Sequence, residues 1–561
     1  MKVIIVGGVA GGATAAARIR RLNEHAEITV FERSGYISYA NCGLPYYIGD
    51  VITDPEELTL QTPESFLKRF RINMKIHHEV ISIHPDHKTV SVKNLENGEI
   101  FEENYDKLIL SPGAKPTQPR LPGMGIDKLF TLRTVEDTFR IKEYINKNHP
   151  KSAVLAGGGF IGLELAENLR ELGMDVTIVQ RPKQLMNPFD PDMASMIHNE
   201  MRKHGIKLVL GYTVEGFKEK DTGVEVLLKD NPSLQADMVV LAIGVTPDTV
   251  LAKEAGLELG IKESIVVNDR METSVPDIYA AGDAVQVKHY VTGDDALISL
   301  AGPANKQGRI IADNICGGDS RYLGSQGSSV IKVFDMTAAT TGINETNAKK
   351  SGLEVDTVIL SPMSHAGYYP GGKVMTMKVV FEKETYRLLG AQIIGYEGVD
   401  KRIDVLATAI HAGLKATQLK DLDLAYAPPY SSAKDPVNMA GFMIDNIAKG
   451  TLKQWHLEDM DKISKDKNVV LLDVRTVGEF NRGHMKGFNN IPVDELRERI
   501  SEIEKGKPVY LICQSGLRSY IASRILEGNG YETYNFSGGF RFYDTVVNDR
   551  ALIEMAYACG M

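Results

Sequence analysis

Two glycine-rich segments of similar design, about 150 residues apart, constrain the fold of this 561-residue chain more than any other feature. Each follows a short apolar run typical of a buried parallel strand, KVIIV at residues 2–6 and AVLA at residues 153–156. Each precedes a segment of helical character and a second apolar strand, at residues 28–32 and 175–179. The repeated pattern predicts two βαβ units in an α/β fold, each presenting a helix N-terminus to a phosphate group.

The first turn runs from Gly7 to Gly12. Gly7 permits a tight turn, Gly12 allows the helix to pack closely on the strand, and Glu32, 20 residues beyond Gly12, is suited to a ribose diol. Val9 stands where the usual motif has its middle glycine. The residues predicted to bind the first dinucleotide are Gly7, Ala10, Gly12, Glu32 and Arg33.

The second turn has all three glycines of the motif, but the acidic residue expected at the end of the next strand is Gln180. A carboxylate there would favour NADH by repelling a 2′-phosphate, whereas Arg181 and Lys183 could attract that phosphate. The preference between NADH and NADPH therefore stays open. The residues predicted to bind this cofactor are Gly157, Gly159, Phe160, Ile161, Gly162, Glu164, Gln180 and Gly244.

A third element, TSVPDIYAAGD at residues 273–283, delivers Asp283 from a strand into a glycine turn, where its carboxylate can hold the ribityl chain of a flavin. Two dinucleotide sites in one chain suggest that a nicotinamide passes a hydride to a flavin. The three elements resemble the FAD-dependent pyridine nucleotide-disulfide oxidoreductases, over residues 1–445. The resemblance implies FAD and NAD(P)H as cofactors, two Rossmann-like dinucleotide-binding domains and an α+β dimerisation domain.

Cysteine is scarce, with only Cys42, Cys316, Cys513 and Cys559. Four scattered thiols exclude a disulfide scaffold and a C-x-x-C zinc site, so we expect no metal and a reducing, cytoplasmic environment. Any cysteine chemistry must come from single thiols. Cys316 and Cys559 have no supporting residues around them and are interpreted as structural or incidental.

The segment SYANCGLPYY at residues 38–47 carries Cys42. Dithiol members of the family have a second cysteine five positions later, where this chain has Tyr47. Cys42 must therefore complete its redox cycle as a sulfenic acid or as a mixed disulfide with a small thiol. A helix start and the flavin's field are expected to favour its thiolate. The segment resembles the single-cysteine subgroup, which contains coenzyme A-disulfide reductases, NADH oxidases and NADH peroxidases.

Two tyrosine-rich loops, SHAGYYPG at 364–371 and AYAPPYS at 425–431, resemble loops of the coenzyme A-disulfide reductases. In that family such tyrosines reach the partner subunit's active site, which implies a homodimer with shared sites and a phenol that protonates a departing thiolate. Tyr368 and Tyr426 are the predicted catalytic pair, and Tyr369 and Tyr430 are expected to pack. A purely structural role in a dimer interface remains an alternative.

Arg18 and Arg21 lie three residues apart on one face of the first helix. The resemblance implies that they meet the phosphates of coenzyme A, with Ser38 and Asn41 beside its pantetheine end. A solvated basic face is the alternative.

Near the C-terminus a strand at 508–512 runs into the loop CQSGLRS at 513–519, and a helix follows. Cys513 in this position lies in a nest of backbone N–H groups that stabilises a thiolate or a persulfide, and Arg518 adds positive charge. The loop and the segments LDVR (472–475), GHMKG (483–487) and NIP (490–492) resemble the rhodanese family. Its six residues from Cys513 to Arg518 point to sulfur transfer, since related phosphatases use a loop one residue longer.

These observations predict an FAD domain formed by residues 1–112 and 245–325, an NAD(P)H domain at 113–244, a dimerisation domain at 326–446, a linker at 447–460 and an α/β rhodanese domain at 461–561. The net charge of −9 argues against nucleic-acid binding. The longest apolar stretch, residues 3–17, is too short and too glycine-rich to span a membrane.

The arrangement resembles coenzyme A-disulfide reductase/rhodanese fusions, which are also described as NADH-dependent persulfide or polysulfide reductases. It implies NAD(P)H- and FAD-dependent reduction of persulfide or polysulfide sulfur to sulfide, with Cys513 delivering sulfane sulfur and coenzyme A carrying it to Cys42. Three alternatives stay open: reduction of coenzyme A disulfide itself, an NADH oxidase or peroxidase cycle, and a thiol redox sensor without turnover.

Overall fold

The structure is a computed structural model that describes residues 1–558, so Cys559 lies outside the described residues. The chain divides into two compact units. Within the described residues, the first contains residues 1–182 and 206–327, and the second contains residues 183–205 and 328–558. Residues 183–205, which fall within the predicted NAD(P)H domain, therefore pack with the second unit.

The helices and strands up to residue 182 are, in chain order, β1 (Lys2–Val6), α1 (Ala10–Leu22), β2 (Glu27–Phe31), α2 (Leu44–Ile48), α3 (Pro63–Phe70), β3 (Asn73–Lys75), β4 (His78–His84), β5 (Thr89–Asn94), β6 (Ile100–Asn104), β7 (Lys107–Leu110), β8 (Ala114–Pro116), β9 (Leu129–Thr131), α4 (Val135–Asn148), β10 (Ser152–Ala156), α5 (Phe160–Glu171) and β11 (Asp175–Gln180). Next come α6 (Pro191–Lys203), which belongs to the second unit, and then β12 (Lys207–Leu210), β13 (Val214–Lys220), β14 (Gly223–Leu228), β15 (Asn231–Ala236), β16 (Met238–Leu241), β17 (Val245–Pro247), α7 (Val250–Glu254), β18 (Ile278–Ala280), β19 (Val287–Lys288), β20 (Asp295–Ala296) and α8 (Ala301–Ile315).

The first unit contains two five-stranded parallel sheets, in the order β18-β7-β1-β2-β3 and β12-β11-β10-β16-β9. In each, the strand before a glycine turn lies at the centre of the sheet because its side chains are apolar and buried on both faces. The first unit also contains two three-stranded antiparallel sheets, in the order β4-β5-β6 and β13-β14-β15. The prediction of two Rossmann-like domains is confirmed.

The remaining elements are β21 (Ser329–Val333), β22 (Met336–Gly342), α9 (Glu345–Lys350), β23 (Val355–Leu360), β24 (Thr376–Glu382), β25 (Leu388–Gly395), α10 (Val399–His411), α11 (Pro436–Ala448), β26 (Gln454–Trp455), α12 (Met460–Ile463), β27 (Val470–Asp473), α13 (Val477–Arg482), β28 (Asn489–Asn490), β29 (Val509–Ile512), α14 (Leu517–Gly528), β30 (Thr533–Phe536) and α15 (Gly539–Ala558).

The second unit combines an antiparallel sheet with a parallel one. The antiparallel sheet has the order β21-β22-β25-β24-β23, and α10 packs against it, which gives the α+β domain that the sequence predicts. The parallel sheet has the order β26-β30-β29-β27-β28 and forms the C-terminal α/β domain. Trp455, in the segment predicted as a linker, is only 2% exposed and lies in β26, because its ring packs against Phe488, Tyr510 and Phe536.

Buried ion pairs fix α6 inside the second unit. The ammonium group of Lys378 on β24 lies 2.8 Å from Asp192, 3.2 Å from Asp190 and 2.7 Å from Glu345. Burial opposes the charge on this lysine, but the three carboxylates raise its pKa above the ordinary value. Because each charge has close partners, the cluster holds α6 and α9 against the antiparallel sheet. None of the helices within residues 1–558 is both long enough and apolar enough to cross a bilayer.

Candidate functional site

The first glycine turn connects β1 to α1 and is built around close backbone contacts. Gly7 has a φ of +98°, and a Cβ on Gly12 would lie 1.9 Å from the Gly7 carbonyl oxygen, so neither position accepts a larger residue. The Glu32 carboxylate accepts the Gly8 N–H at 2.8 Å and the Ser34 N–H at 2.9 Å. Burial raises the pKa of Glu32, against the lowering effect of these two donors. The predicted ribose-binding carboxylate thus also holds the turn.

Asp283 follows β18 in a short turn, as the sequence predicts, and its neighbour is an arginine that sequence reasoning missed. Arg133 donates to the Asp283 carboxylate at 2.6 Å. The Gly282 N–H donates to Gln307 at 2.7 Å, which fixes the turn that carries Asp283. Arg33, another residue predicted to bind the flavin, pairs with Asp248 at 2.9 Å. No local motif marks Arg133, because its partner is 150 residues away in the chain.

The second turn repeats the geometry of the first. Gly157 has a φ of +123°, and a Cβ on Gly162 would lie 2.1 Å from the Gly157 carbonyl oxygen. A Cβ on Gly159 would meet no atom within 4 Å, so open space lies in front of the N-terminus of α5, which begins at Phe160. Both turns therefore fit a dinucleotide pyrophosphate. Gly244, also predicted for this site, lies beside Thr117, whose N–H donates to its carbonyl.

Gln180 occupies the same place in the second βαβ repeat as Glu32 occupies in the first βαβ repeat. Its side-chain oxygen accepts the Gly158 N–H at 3.0 Å, which leaves its amide NH₂ to donate elsewhere. The exposed Arg181 follows it directly. The side chain at position 180 thus both supports the turn and determines the charge at the strand end.

We expect Gln180→Glu to lower kcat/KM for NADPH by about tenfold or more and to leave kcat/KM for NADH within about threefold, because a carboxylate keeps the acceptor for Gly158 but repels a 2′-phosphate. Steady-state kinetics with both nucleotides measure this. Gln235→Glu, the same change at an exposed position of β15, is the control. It should leave the ratio of kcat/KM for NADPH to kcat/KM for NADH unchanged. If kcat/KM for NADPH relative to kcat/KM for NADH is the same in Gln180→Glu as in the parent, position 180 does not face the 2′ substituent.

Cys42 lies in a single turn of 3-10 helix, Asn41–Gly43, directly before α2. The residue is exposed, and α2 packs against α5 of the second glycine turn. Tyr47, at the position of the second family cysteine, packs the edge of its ring against Phe139 at 5.6 Å. The structure therefore places a single accessible thiol beside the helix that carries Glu164.

The protein atoms around Cys42 do not by themselves favour its thiolate. Although Cys42 is exposed as a residue, its sulfur is partly desolvated by the protein around it; this desolvation, then the nearby carboxylates of Glu164 and Asp283, raise the pKa of Cys42, and Arg133 acts in the opposite sense. Burial and Glu167 also raise the pKa of Glu164, to about 7. Glu164 therefore changes its charge close to neutral pH, in the neighbourhood of the thiol.

We expect Glu164→Gln to increase the rate of Cys42 alkylation about threefold at pH 8, which corresponds to a fall of about half a unit in the thiol's pKa, and to change the rate little at pH 6. The sign follows from the protonation of Glu164, which is mostly neutral below pH 7 and anionic above it. Iodoacetamide labelling followed by mass spectrometry of the Cys42 peptide measures the rate. Glu171→Gln, at the exposed end of α5, should show neither change, and equal rates for Glu164→Gln and the parent at both pH values would contradict the prediction.

The residues predicted to bind coenzyme A occupy two places in the first unit. Arg18 on α1 is half-buried and pairs with Asp313 at 2.8 Å, whereas Arg21 is exposed. Ser38 and Asn41 lie in the segment that carries Cys42. Ser38 adopts a left-handed backbone conformation, with a φ of +45°, and its N–H donates to the Gly8 carbonyl at 2.9 Å. This unusual conformation joins the Cys42 segment to the first glycine turn.

In the second unit the two tyrosine loops meet. The hydroxyls of Tyr368 and Tyr426 lie 2.6 Å apart, and this hydrogen bond raises the pKa of Tyr426. Tyr368 is 75% exposed and Tyr426 is 44% exposed. Tyr369 packs the edge of its ring against His365 at 5.6 Å, but Tyr430, which was also expected to pack, is 73% exposed in this chain. The loops therefore present a phenol pair at the protein surface.

Cys513 lies at the end of β29 and is almost completely buried, with 1% of its surface exposed. Its sulfur accepts hydrogen bonds from the Gly516 N–H and the Ser519 hydroxyl, both at 3.1 Å. The φ of +99° at Gly516 turns the loop back towards the sulfur. Ser519 was missed by sequence reasoning, although it follows the loop directly. These donors suit a sulfur that carries negative charge.

Two arginines near the Cys513 loop are paired with carboxylates. Arg518 donates to both oxygens of Glu479 at 2.7 Å, and this bond lowers the pKa of Glu479 to about 2. Arg475 binds Asp473 in the same forked manner and lies 3.8 Å from the centre of the Phe540 ring. Arg518 and the thiol of Cys513 are close enough to interact electrostatically, so the predicted positive charge lies beside the loop, with Glu479 as its direct partner.

Outside these sites, Cys316 is half-buried at the end of α8. Over residues 1–558 no three histidine, cysteine, aspartate or glutamate side chains come together as a metal-binding group.

Comparisons with known proteins agree with this geometry. Residues 1–308 match the pyridine nucleotide-disulphide oxidoreductase family, residues 328–436 match its dimerisation domain, and residues 456–544 match the rhodanese-like domain. A coenzyme A disulfide reductase of Staphylococcus aureus is 38% identical over 443 residues, which are 79% of this chain and 99% of that protein.

Two solved structures cover almost the whole chain. The reduced CoADR-RHD of Bacillus anthracis has 48% sequence identity and a TM-score of 0.96, with 98% of both chains covered. An NAD-dependent persulfide reductase from A. fulgidus has 38% identity and a TM-score of 0.90, with 97% of this chain and 100% of that chain covered. A water-forming NADH oxidase from Lactobacillus brevis has 32% identity and a TM-score of 0.77, with 80% of this chain and 99% of that chain covered.

Proposed function

The chain belongs to the pyridine nucleotide-disulphide oxidoreductase family and carries a rhodanese-like domain, and on this basis we propose that it reduces persulfide or polysulfide sulfur to sulfide at the expense of NAD(P)H. The balanced reaction is RSSH + NAD(P)H + H⁺ → RSH + H₂S + NAD(P)⁺. Coenzyme A persulfide is the proposed substrate at Cys42, and the rhodanese cysteine supplies its sulfur. Two similar proteins, a coenzyme A disulfide reductase and a persulfide reductase, support this class of substrate.

The observation that carries the proposal is the presence of two single thiols in different environments. Cys42 is exposed, and the position of the family's second cysteine is occupied by Tyr47. Cys513 is buried, with two hydrogen-bond donors directed at its sulfur. A redox cysteine without a resolving partner exchanges with a sulfur that arrives from outside, and a cysteine in an anion-binding loop stabilises a bound persulfide.

Cys513 is the proposed entry point for sulfane sulfur. Its thiolate attacks the outer sulfur of a persulfide RSSH, the S–S bond of the donor breaks, and RSH leaves after taking up a proton. The Gly516 N–H and the Ser519 hydroxyl hold the negative charge of the resulting Cys513 persulfide. The thiolate of coenzyme A then attacks the outer sulfur, which restores the Cys513 thiol and produces coenzyme A persulfide.

Cys42 is the proposed exit point. Its thiolate attacks the inner sulfur of coenzyme A persulfide, sulfide leaves, and a mixed disulfide between Cys42 and coenzyme A remains; attack on the outer sulfur gives a Cys42 persulfide instead. The first glycine turn and Asp283 would hold FAD, which would supply two electrons from NAD(P)H for the reduction of the S–S bond formed at Cys42. The protein's own part is to keep the thiol accessible beside α5, where Glu164 changes charge near pH 7.

Arg18, Arg21, Ser38 and Asn41 are proposed to bind coenzyme A, with the two arginines at its phosphates. Tyr368 and Tyr426 are proposed to act in the partner subunit of a homodimer. Their short hydroxyl–hydroxyl contact and their exposure support a role in donating a proton to a departing thiolate. The few cysteines support a reducing compartment such as the cytoplasm. The domain limits predicted from the sequence, with an FAD domain formed by two separate parts of the chain, are part of this proposal.

Reduction of coenzyme A disulfide is the second candidate. It is favoured by the 443-residue match to the S. aureus reductase, which covers 79% of this chain and 99% of that protein. In this case Cys42 alone performs the reaction and the rhodanese domain has a separate task. The experiment that separates the two replaces each thiol in turn and follows NADH oxidation and sulfide release with coenzyme A disulfide and with sulfane donors.

A further inference from the structure

A single segment of the rhodanese domain, residues 535–541, holds the Cys513 loop through the loop's carbonyl groups. Asn535 donates its side-chain amide to the Gly516 carbonyl at 3.2 Å. The Phe540 N–H donates to the Cys513 carbonyl at 2.8 Å, and the Arg541 N–H donates to the Gln514 carbonyl at 3.3 Å. Because a peptide unit is planar, fixing these carbonyls also fixes the N–H groups of Gln514, Ser515 and Leu517, which lie on both sides of the Gly516 N–H that meets the sulfur.

The same segment packs against the loop without space between them. Gly539 has a φ of +70°, and a Cβ on it would lie 2.6 Å from the Ser515 nitrogen. A small displacement of the segment would therefore push or release the loop, since the two backbones are in direct contact.

On its other side the segment is attached to the dimerisation domain. The Ser537 hydroxyl accepts the Ile359 N–H at 3.0 Å, and Ser537 is only 3% exposed. Ile359 belongs to β23, the edge strand of the antiparallel sheet. The edge is covered further by Gln454, which donates to the Thr357 carbonyl at 2.7 Å. The rhodanese domain thus seals an edge strand that would otherwise present unpaired backbone groups.

We propose that Ser537 is a positioning residue through which the edge strand β23 of the dimerisation domain holds the Cys513 loop in its sulfur-accepting geometry. Its hydroxyl accepts from Ile359 rather than contacting the cysteine, and it acts through residues 538–541. The functional consequence rests on the proposed role of Cys513 in sulfur transfer, whereas the mechanical link from β23 to the loop does not.

The test compares Ser537→Ala with Ser537→Thr in the full-length protein. Alanine removes the acceptor of a buried N–H, so the segment loses its side-chain hydrogen bond to β23, whereas threonine keeps the hydroxyl. With glutathione persulfide as donor and cyanide as acceptor, Ser537→Ala should lower kcat about fivefold with little change in KM, and Ser537→Thr should restore at least half of it. Carbamidomethylation of the Cys513 peptide at pH 7, followed by mass spectrometry, should slow by a similar factor.

Ser523→Ala is the matched control, because Ser523 is also buried in the rhodanese domain but its hydroxyl donates within α14, to the Tyr520 carbonyl. The far-UV circular dichroism spectrum and the thermal unfolding midpoint of each full-length variant report that it is folded. The inference is overturned if Ser537→Ala and Ser523→Ala give the same labelling rate and the same kcat. If Cys513→Ser leaves sulfur transfer intact, the proposed function of Cys513 fails instead, and the labelling rates still decide whether Ser537 positions the loop.

Discussion

Replacing Cys42 by serine is expected to lower NADH oxidation with coenzyme A disulfide or coenzyme A persulfide by at least about a thousandfold, because a hydroxyl cannot attack an S–S bond at neutral pH. Tyr47 fills the position of the family's second cysteine, and the other thiols of the described chain, Cys316 and Cys513, are half-buried and buried. No neighbouring sulfur is therefore in a position to replace Cys42. Absorbance of NADH at 340 nm under anaerobic conditions measures the loss.

Cys316→Ser is the control for this variant, since Cys316 is half-buried at the end of α8 and should be dispensable. Flavin content should be equal in both proteins, because the residues around the first glycine turn are unchanged. If Cys42→Ser retains more than a tenth of the parent's rate with either substrate, Cys42 is not the reducing centre. Oxygen consumption that continues without any disulfide or persulfide in the parent would instead favour the oxidase alternative.

The sequence was sufficient to predict the two Rossmann-like domains because their determinants are local. A buried strand, a glycine turn and a helix occupy about 30 consecutive residues, and steric exclusion explains the glycines directly: a Cβ on Gly12 or Gly162 would collide with the preceding turn. The Cys513 loop was predictable for the same reason, as its strand, loop and helix are contiguous. In these places chain neighbours are also spatial neighbours.

The missed residues share the opposite property. Arg133 pairs with Asp283 over 150 positions, and Ile359 donates to Ser537 over 178 positions, so neither pair leaves a pattern in any short window of sequence. Trp455 was placed in a linker because its neighbours are polar, yet it pairs β26 with β30 and packs into an aromatic cluster. Its burial is decided by strands that follow more than fifty residues later.

The electrostatic surroundings of Cys42 also differ from the sequence-based expectation. The expected thiolate depends on a helix start and on the flavin's field; the helix concerned, α2, has only five residues, and partial desolvation together with Glu164 raises the pKa of Cys42. The protein scaffold alone thus leaves the thiol protonated at neutral pH, since Arg133 does not offset these effects. Activation of this cysteine by the flavin's field stays a prediction.

Replacing Cys513 by serine is expected to separate the two proposed activities. Sulfide release driven by glutathione persulfide and catalytic coenzyme A should fall by about a hundredfold or more, because no other thiol lies in the cradle formed by Gly516 and Ser519. NADH oxidation with coenzyme A disulfide should stay within about twofold of the parent, since that reaction needs only Cys42. Sulfide is quantified by its reaction with monobromobimane, in parallel with NADH absorbance.

The design isolates the rhodanese step because coenzyme A persulfide can also be added directly. Supplied in this form, the sulfur bypasses Cys513, and the Cys513→Ser variant should recover the parent's rate of sulfide release. Ser519→Ala should give an intermediate loss of about three- to tenfold with glutathione persulfide, because it removes one of the two hydrogen bonds to the sulfur and leaves the cysteine. If Cys513→Ser shows full activity with every sulfane donor, sulfur reaches Cys42 directly from solution, and the proposed route through Cys513 is abandoned.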